Sequence, residues 1–238
     1  MKILLLSDIH ANFPALASIY SAEKTHSHDM IIHCGDSTVY ATFPGATLNW
    51  LKKHKAVNIL GNTDIKVLKL LRGSGFKKPK KAEKRIMYTW TAAHLAAAEI
   101  DYLASLPLYH EFTAAGRKIG VYHGSPANPN EQLFASTPSQ RFEEIGRKSD
   151  RDIILCGHSH TPFHKKIRGV HFINPGSVGR MFDGDPRASY AVLEIDEQRI
   201  RVRHFRRGYD IEETVRGITE ALLPPIYGEM YRLGRKLN

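Results

Sequence analysis

Ile3-Leu4-Leu5-Leu6-Ser7-Asp8-Ile9-His10 is a short apolar run that stops in a polar cluster, and the same grammar returns five more times along the chain. Met30 to Ile32 leads to Cys34-Gly35-Asp36, and Ala56 to Leu60 leads to Gly61-Asn62-Thr63-Asp64. Ile119 to Tyr122 leads to His123-Gly124, Ile153 to Leu155 to Gly157-His158-Ser159-His160, and Val170 to Ile173 to Asn174-Pro175-Gly176-Ser177. Runs this short and this apolar are what strands buried on both faces look like. Between the first three lie helical patterns, Pro14 to about Lys24 with Leu16, Ile19 and Tyr20 on one side, and Pro44 to about Lys53 with Leu48 and Leu51. The alternation predicts βαβαβ and therefore parallel strands, whose carboxyl ends lie along one edge. Open α/β sheets bind ligands at that edge, so the sheet itself gathers every polar cluster named above.

Beyond the strand-end runs, helices are expected from Thr91 to Ser105, closed by Pro107, and from Pro138 to about Lys148. For the second, Thr137 is the expected N-cap and Gln140 the partner in a capping box. Tyr190, Val192 and Leu193 before Asp196-Glu197-Gln198, then Ile200 and Val202, read as an antiparallel hairpin. A last helix spans Ile211 to Leu222, and the basic tail after Pro224-Pro225 carries no clear pattern.

The 238 residues, 42% of them hydrophobic, suit one α/β domain over the whole chain. The apolar run after Lys2 is too short for a signal-peptide core and no later stretch approaches a membrane span, so a soluble cytoplasmic protein without a membrane partner is expected. Cys34 and Cys156 each precede a Gly at the end of an apolar run, which suits small buried side chains in a reducing compartment better than a disulfide. The net charge of +10 attracts anions such as nucleotides, phosphorylated molecules or RNA. It concentrates in Lys77 to Arg85, with six basic residues among nine positions, and in Arg199, Arg201, Arg203, Arg206 and Arg207. A solvated loop and a solvated strand face are the favoured account of these runs, with nucleic acid as the other candidate partner.

The strand-end clusters together hold two carboxylates, one amide and four imidazoles: Asp8, His10, Asp36, Asn62, His123, His158 and His160. This N and O set without thiolate suits divalent Mn, Fe, Co, Ni or Zn rather than Ca or Mg alone. Seven ligands exceed what one ion needs. The economical solution is two ions about 3.5–4 Å apart that share a carboxylate, with a bridging hydroxide as nucleophile. A lone Asp-x-His or His-x-His is weak evidence; five such motifs at successive strand ends are not.

The order Asp8-x-His10, Gly35-Asp36, Gly61-Asn62-x-Asp64, His123-Gly124 and Gly157-His158-x-His160 resembles the calcineurin-like metallophosphoesterase superfamily. Ser7 to Asn12, Asn174 to Gly179 and Gly184 to Tyr190 are similar to its prokaryotic subgroup related to small phosphodiesterases and diadenosine tetraphosphatase-like proteins. The match runs from Lys2 to about Glu194. It implies a β-sandwich flanked by helices. It also implies that Asp8, His10 and His160 bind one metal, that Asn62, His123 and His158 bind a second, and that Asp36 bridges them, with Mn the first choice. Many members carry His where this chain has Thr63, so the resemblance implies weak hydrolysis of alkyl monoesters. Asp64, which would orient that His, is expected to cap a helix starting at Ile65. Asn12, Asn62, Arg180 and Arg187 are candidate phosphate contacts, although Asn12 could equally cap the Pro14 helix and an Arg could form a surface ion pair. His33 reads as a core histidine.

The combined expectation is a two-metal enzyme that hydrolyses phosphodiester or phosphoanhydride bonds in small nucleotide-like substrates by in-line attack of the bridging hydroxide. Its rivals are a phosphoprotein phosphatase and a non-catalytic RNA-binding protein on the same fold.

Overall fold

The computed structural model describes residues 1–23 and 26–238. In chain order, the first half holds β1 (Lys2–Leu6), α1 (Phe13–Glu23), β2 (Met30–His33), α2 (Pro44–Lys53), β3 (Val57–Asn58), α3 (Asn62–Leu71), α4 (Ala82–Ala93) and α5 (Ala97–Ser105). The second half holds β4 (Tyr109–Ala114), β5 (Arg117–Tyr122), α6 (Ser139–Ser149), β6 (Ile153–Leu155), β7 (Phe163–Ile167), β8 (Val170–Asn174), β9 (Ala188–Ile195), β10 (Ile200–Arg207), α7 (Ile211–Glu220) and α8 (Ile226–Leu233). The Lys24 end expected for the first helix lies outside the described residues.

Two five-stranded sheets result, ordered β10-β9-β1-β2-β3 and β4-β5-β6-β8-β7. Each is mixed, with three parallel strands that carry the site. Ile3 lies opposite Met30 and Ile32 opposite Val57 in the first sheet, while Ile119 lies opposite Ile153 and Ile153 opposite His171 in the second. The expected hairpin is β9 and β10, with β9 antiparallel to β1.

The uninterrupted apolarity of β1 has a direct cause. Ile3 and Leu5 face the second sheet and pack with Val121, Leu155 and Ile173, whereas Leu4 and Leu6 face outward onto Leu16, Ile19 and Leu51 of α1 and α2. Both faces are dry, so the strand cannot alternate. On the far side, Phe142 and Ile145 of α6 cover Ile154 and Phe172. A further cluster joins α2, α3, α4, α5, α7 and α8 through Leu48, Val67, Tyr88, Leu103, Ile218 and Tyr227.

Several expectations need correction. The helix expected over Thr91 to Ser105 is the end of α4 followed by α5, broken at His94-Leu95-Ala96. Leu95 is buried there, and the Glu99 carboxylate accepts the Ala96 N–H at 2.8 Å, which caps a new start without Gly or Pro. α4 also begins inside the stretch read as a basic loop, because Met87, Tyr88 and Thr91 give it a buried face. Pro138, not Thr137, is the N-cap of α6. The Thr137 hydroxyl instead accepts the Phe134 N–H at 3.0 Å, so the expected capping box does not form. The tail without clear pattern contains α8. β4 and β7 went unread because each is an edge strand, with half its residues exposed in β4 and only Phe163 buried in β7.

Candidate metal centre

The parallel strands deliver their polar clusters to one place. Asp8 and His10 follow β1, Asp36 follows β2, Asn62 opens α3 just after β3, His123 follows β5, and His158 and His160 follow β6. Five of these seven hold left-handed backbone, with φ of 51° at Asp8, 52° at His10, 60° at Asp36, 64° at His158 and 58° at His160. Such conformations cost roughly 1–3 kcal/mol each in non-Gly residues and persist only where the surroundings impose them. Neighbouring turns do so here through the backbone: Asp8 N–H donates to the Gly35 carbonyl at 3.0 Å, His10 N–H to Asp36 at 2.9 Å and Gly157 N–H to His123 at 2.9 Å. The motif glycines are what lets these turns approach. A Cβ on Gly61 would sit 2.1 Å from Asp36 Oδ1, and one on Gly157 would sit 1.9 Å from Ser7 Oγ.

The candidate ligand atoms fall into two groups that could each hold a metal ion, Asp8/His10/His160 and Asp36/His123/His158, each with its atoms within 4.8 Å of one another. Asp36 stands between them, its Oδ2 lying 3.6 Å from His10 Nε2 and 3.5 Å from His123 Nε2. His10 Nε2 faces His160 Nε2 at 3.3 Å, and His123 Nε2 faces His158 Nδ1 at 3.1 Å. Asn62 Oδ1 lies 3.0 Å from His123 Nε2. Turning the amide over would let its nitrogen donate to both His123 and His158, but the oxygen-inward orientation is the one that offers a lone pair to a cation.

These residues fit divalent metal. Asp8 Oδ1 is buried without a hydrogen-bond partner, a costly arrangement for a carboxylate oxygen unless a cation faces it. The rings are also aimed from behind. His10 Nδ1–H donates to the Thr38 carbonyl at 3.2 Å, His123 Nδ1–H to Cys34 at 2.9 Å, and His160 Nδ1–H to Arg180, which turns each Nε2 inward. Burial pushes His10 down to about 3 and His158 to about 4, and holds His160 well below its ordinary value, so these rings keep their lone pairs free. His123 goes the other way. Against the effect of burial, the Asp36 and Asp8 carboxylates raise it to about 9, so a metal arriving there displaces a proton. Burial raises Asp8 to about 7, while Asp36 stays well below the usual carboxylate range despite burial, because His123 and His10 stabilise its charge.

The groups open into a cleft of about 130 Å³, lined among others by His10, Asp36, Tyr40, Asn62, Thr63, Lys84, Gln132, His158, His160, Arg180, Phe182 and Lys236. That is room for a phosphoryl group, with the remainder of any larger molecule outside. Of the candidate phosphate contacts, Asn62 and Arg180 face this cleft. Asn12 does not: fully buried, it donates from Nδ2 to the Gly179 carbonyl at 3.0 Å and accepts from Ala15 N–H at 3.3 Å and the Thr214 hydroxyl at 3.0 Å. Its Nδ2 also donates to the Tyr209 hydroxyl at 3.1 Å, so all its hydrogen-bonding capacity goes into capping α1 and tying it to Gly179, Tyr209 and α7, which leaves none for substrate. Arg187 lies on the surface in a forked pair with Asp185. His33 is a core histidine against Asn58 Oδ1 at 2.7 Å.

Asp64 is buried and fully engaged. Its carboxylate accepts from Gly61 N–H at 3.0 Å, Ser37 N–H at 3.1 Å and both the N–H and hydroxyl of Thr38, clamping the Asp36 turn to the start of α3, which begins at Asn62 and not at Ile65. Thr63 donates its N–H to Asp36 Oδ1 at 2.8 Å and its hydroxyl to the Thr38 carbonyl at 3.4 Å. Sequence reasoning missed Tyr40, Gln132, Phe182 and Lys236, and it saw Lys84 only as part of a charge run. Phe182 stacks on His160 at 4.1 Å between ring centres, and Tyr40 meets His10 edge-on at 5.2 Å. The remaining basic segments face elsewhere: Lys77 and Lys78 border a separate 490 Å³ depression beside α3, Arg203 pairs with Glu194 at 2.8 Å and Arg206 pairs with Asp183. Cys34 and Cys156 are free and buried. Among the described residues no helix is long and apolar enough to cross a membrane.

The chain is similar to known proteins over nearly its whole length. An uncharacterised protein of Methanocaldococcus jannaschii is 30% identical, with the match covering 98% of each chain. A probable metallophosphoesterase of Bacillus subtilis is 28% identical over 92% of this chain and 99% of its own. The crystal structure of a metallophosphoesterase from Sphaerobacter thermophilus superposes with a TM-score of 0.83 at 28% identity, covering 98% of this chain and 99% of that one. Residues 1–198 match the model of the calcineurin-like phosphoesterase superfamily domain, and with the ligand groups placed as described, the chain belongs to that superfamily as a metal-dependent phosphoesterase.

Proposed function

We propose that the protein, acting as a single domain over residues 1–238, holds two divalent ions, Mn first and Fe, Ni, Co or Zn as alternatives. With them it hydrolyses phosphodiester or phosphoanhydride bonds in small nucleotide-type substrates. The observation that carries the reading is Asp36 Oδ2, placed within 3.6 Å of a ring nitrogen from each ligand group, where one carboxylate can serve both ions. Asp8, His10 and His160 would hold one ion and Asn62, His123 and His158 the other. When bound, such a pair supplies a nucleophile from water at neutral pH and neutralises phosphate charge.

The chain's own groups do the rest. Arg180 faces the cleft as a donor for a non-bridging phosphate oxygen. Thr63 stands where a proton donor would be useful, but its hydroxyl already donates to the Thr38 carbonyl, so the departing oxygen leaves without its help. A reducing cytoplasmic setting agrees with two free buried cysteines.

Elemental analysis after dialysis, paired with a leaving-group series at fixed Mn, tests the reading. Metal should remain bound, and kcat/KM should depend steeply on leaving-group pKa. Aryl diesters and phosphoanhydrides should be cleaved well, and alkyl monoesters poorly. Thr63→His should recover part of the roughly 10²–10⁴ that general acid help provides for the poor leaving groups. A protein that keeps no metal and gains no activity with Mn or Ni would refute it, and a shallow slope in wild type would remove the argument from Thr63.

A further inference from the structure

The outer wall of the cleft carries more positive charge than one phosphate ester needs. Arg180 is only 6% exposed, and its guanidinium lies 3.8 Å from the Tyr40 ring centre, 4.9 Å from Phe182 and 5.6 Å from Tyr227. Its strongest polar side-chain contact is weak, a terminal nitrogen donating to Met230 Sδ at 3.4 Å. Its Nε is buried without a partner, and among the described residues no carboxylate pairs with it. Aromatic faces offset only part of the cost of burying a cation that lacks a counter-ion. Lys84 from α4 and Lys236 from the tail beyond α8 line the same opening. Burial, and then repulsion from Lys236 and Arg180, bring the Lys84 ammonium down to about 8, as expected for cations crowded around one space.

These residues come from three separate segments, and one lies outside the family match, which stops at residue 198. Its position is built, not incidental. Gly234 ends α8 in left-handed backbone at φ 59°, and its carbonyl accepts the Gly184 N–H at 3.0 Å. A Cβ there would come within 2.6 Å of the Asp185 carbonyl carbon. The tail is thereby docked on the loop that carries Phe182, and Lys236 Nζ stands 5.8 Å from that ring. The wall flanks the Asp8 side of the centre, since Phe182 and Tyr40 pack on His160 and His10.

We propose that Arg180, Lys84 and Lys236 form an anion subsite for a second phosphoryl group next to the scissile phosphorus, so that the preferred substrates are phosphoanhydrides rather than isolated phosphodiesters. This rests on the hydrolytic reading above and narrows it. Water adds its oxygen to one phosphorus, the P–O bond to the anhydride oxygen breaks, and the neighbouring phosphate leaves with that oxygen. The two protons of water pass to the product phosphates or to solvent. Three cations around the departing phosphate stabilise as an anion what Thr63 cannot protonate.

The test compares diadenosine tetraphosphate with bis(4-nitrophenyl) phosphate, both with Mn, in wild type, Lys84→Gln and Lys236→Gln. Each substitution should raise KM for the tetraphosphate about tenfold more than for the aryl diester, the loss of one charge-assisted contact. Inhibition by methylenediphosphonate should weaken in parallel, and inhibition by methylphosphonate much less. Equal factors on both substrates would overturn the subsite, as would a diphosphonate that binds wild type no better than methylphosphonate. If wild type hydrolyses neither compound, the hydrolytic reading has failed. The subsite is then decided by calorimetric titration of the two phosphonates into Mn-loaded protein: a diphosphonate advantage that Lys236→Gln removes upholds it, and no advantage overturns it.

Discussion

The floor of the cleft and its outer wall are made in different ways. The floor is seven side chains on turns that end parallel strands, held by backbone hydrogen bonds and by glycines that admit no Cβ. The wall is Lys84, Phe182 and Lys236: α4 is held by the packing of Met87 and Tyr88, and the tail is docked on the Phe182 loop by one backbone hydrogen bond at Gly234. A turn pinned through its backbone tolerates almost no change, whereas a packed surface can be recast while the sheets stay as they are. On the reading proposed above, the floor carries the hydrolysis and the wall the choice of substrate.

The sharpest way to break this division is Asp36→Asn. Because Asp36 faces both ligand groups, kcat/KM should fall by roughly 10³ or more, the equivalent of several kcal/mol of charge stabilisation, and metal per chain should drop further than in His160→Ala. Elemental analysis beside steady-state rates reads both effects, and equal metal loss in the two variants would deny Asp36 its shared role.

A smaller effect is expected from Gly157→Ala, which alters no ligand. The new methyl group would meet Ser7 Oγ at 1.9 Å and Asp8 Oδ2 at 2.8 Å, displacing the Asp8 carboxylate and the His158 turn together. Metal affinity should fall about 10–100-fold, as it does when groups that orient ligands are disturbed. Titration calorimetry with Mn measures it, and wild-type affinity would mean that the floor is more compliant than its hydrogen bonds suggest.

The smallest effect concerns the protein freed of metal by chelation. His123 is raised in the folded state, from an ordinary 6.5 to about 9, so its contribution to stability is complete below 6.5 and is lost as pH rises through 9. The lowered histidines, His10, His158 and His160, act below 6.5. Asp8, raised to about 7, adds to the decline up to that pH, and Lys84, lowered to about 8, opposes it above that pH, so the decline belongs chiefly to His123 between pH 7 and 8. Thermal melting of the chelated protein should therefore decline by a few degrees between pH 6.5 and 8. Mn affinity should rise over the same interval, because fewer protons compete. A melting temperature that climbs with pH after chelation would contradict the proton placed on His123.

The floor was legible in the sequence and the wall was not, for a physical reason. Each candidate ligand follows an apolar run that stops in a short polar cluster, a local pattern that survives without knowledge of distant contacts. Lys236 lies 173 positions from Thr63, and its place depends on Gly234 at the end of α8 docking on the loop that carries Phe182, which no local pattern encodes. β4 and β7 were missed because edge strands lack the apolar run that marked their neighbours. Asn12 shows the limit of reasoning by neighbourhood: it lies two residues from His10 in sequence, yet its side chain points away and caps α1. The break at His94 depends on Leu95 finding a buried site, again a tertiary event.

The left-handed backbone at Asp8, His10, Asp36, His158 and His160 has a consequence for transplantation. A synthetic peptide spelling Ser7 to Asn12 carries the right atoms but relaxes into ordinary right-handed or extended backbone, so it should capture metal no better than any short chain with one Asp and one His. The motif is an address that only this scaffold can deliver to. Grafting it elsewhere requires the partner turns from β2 and β6 to travel with it.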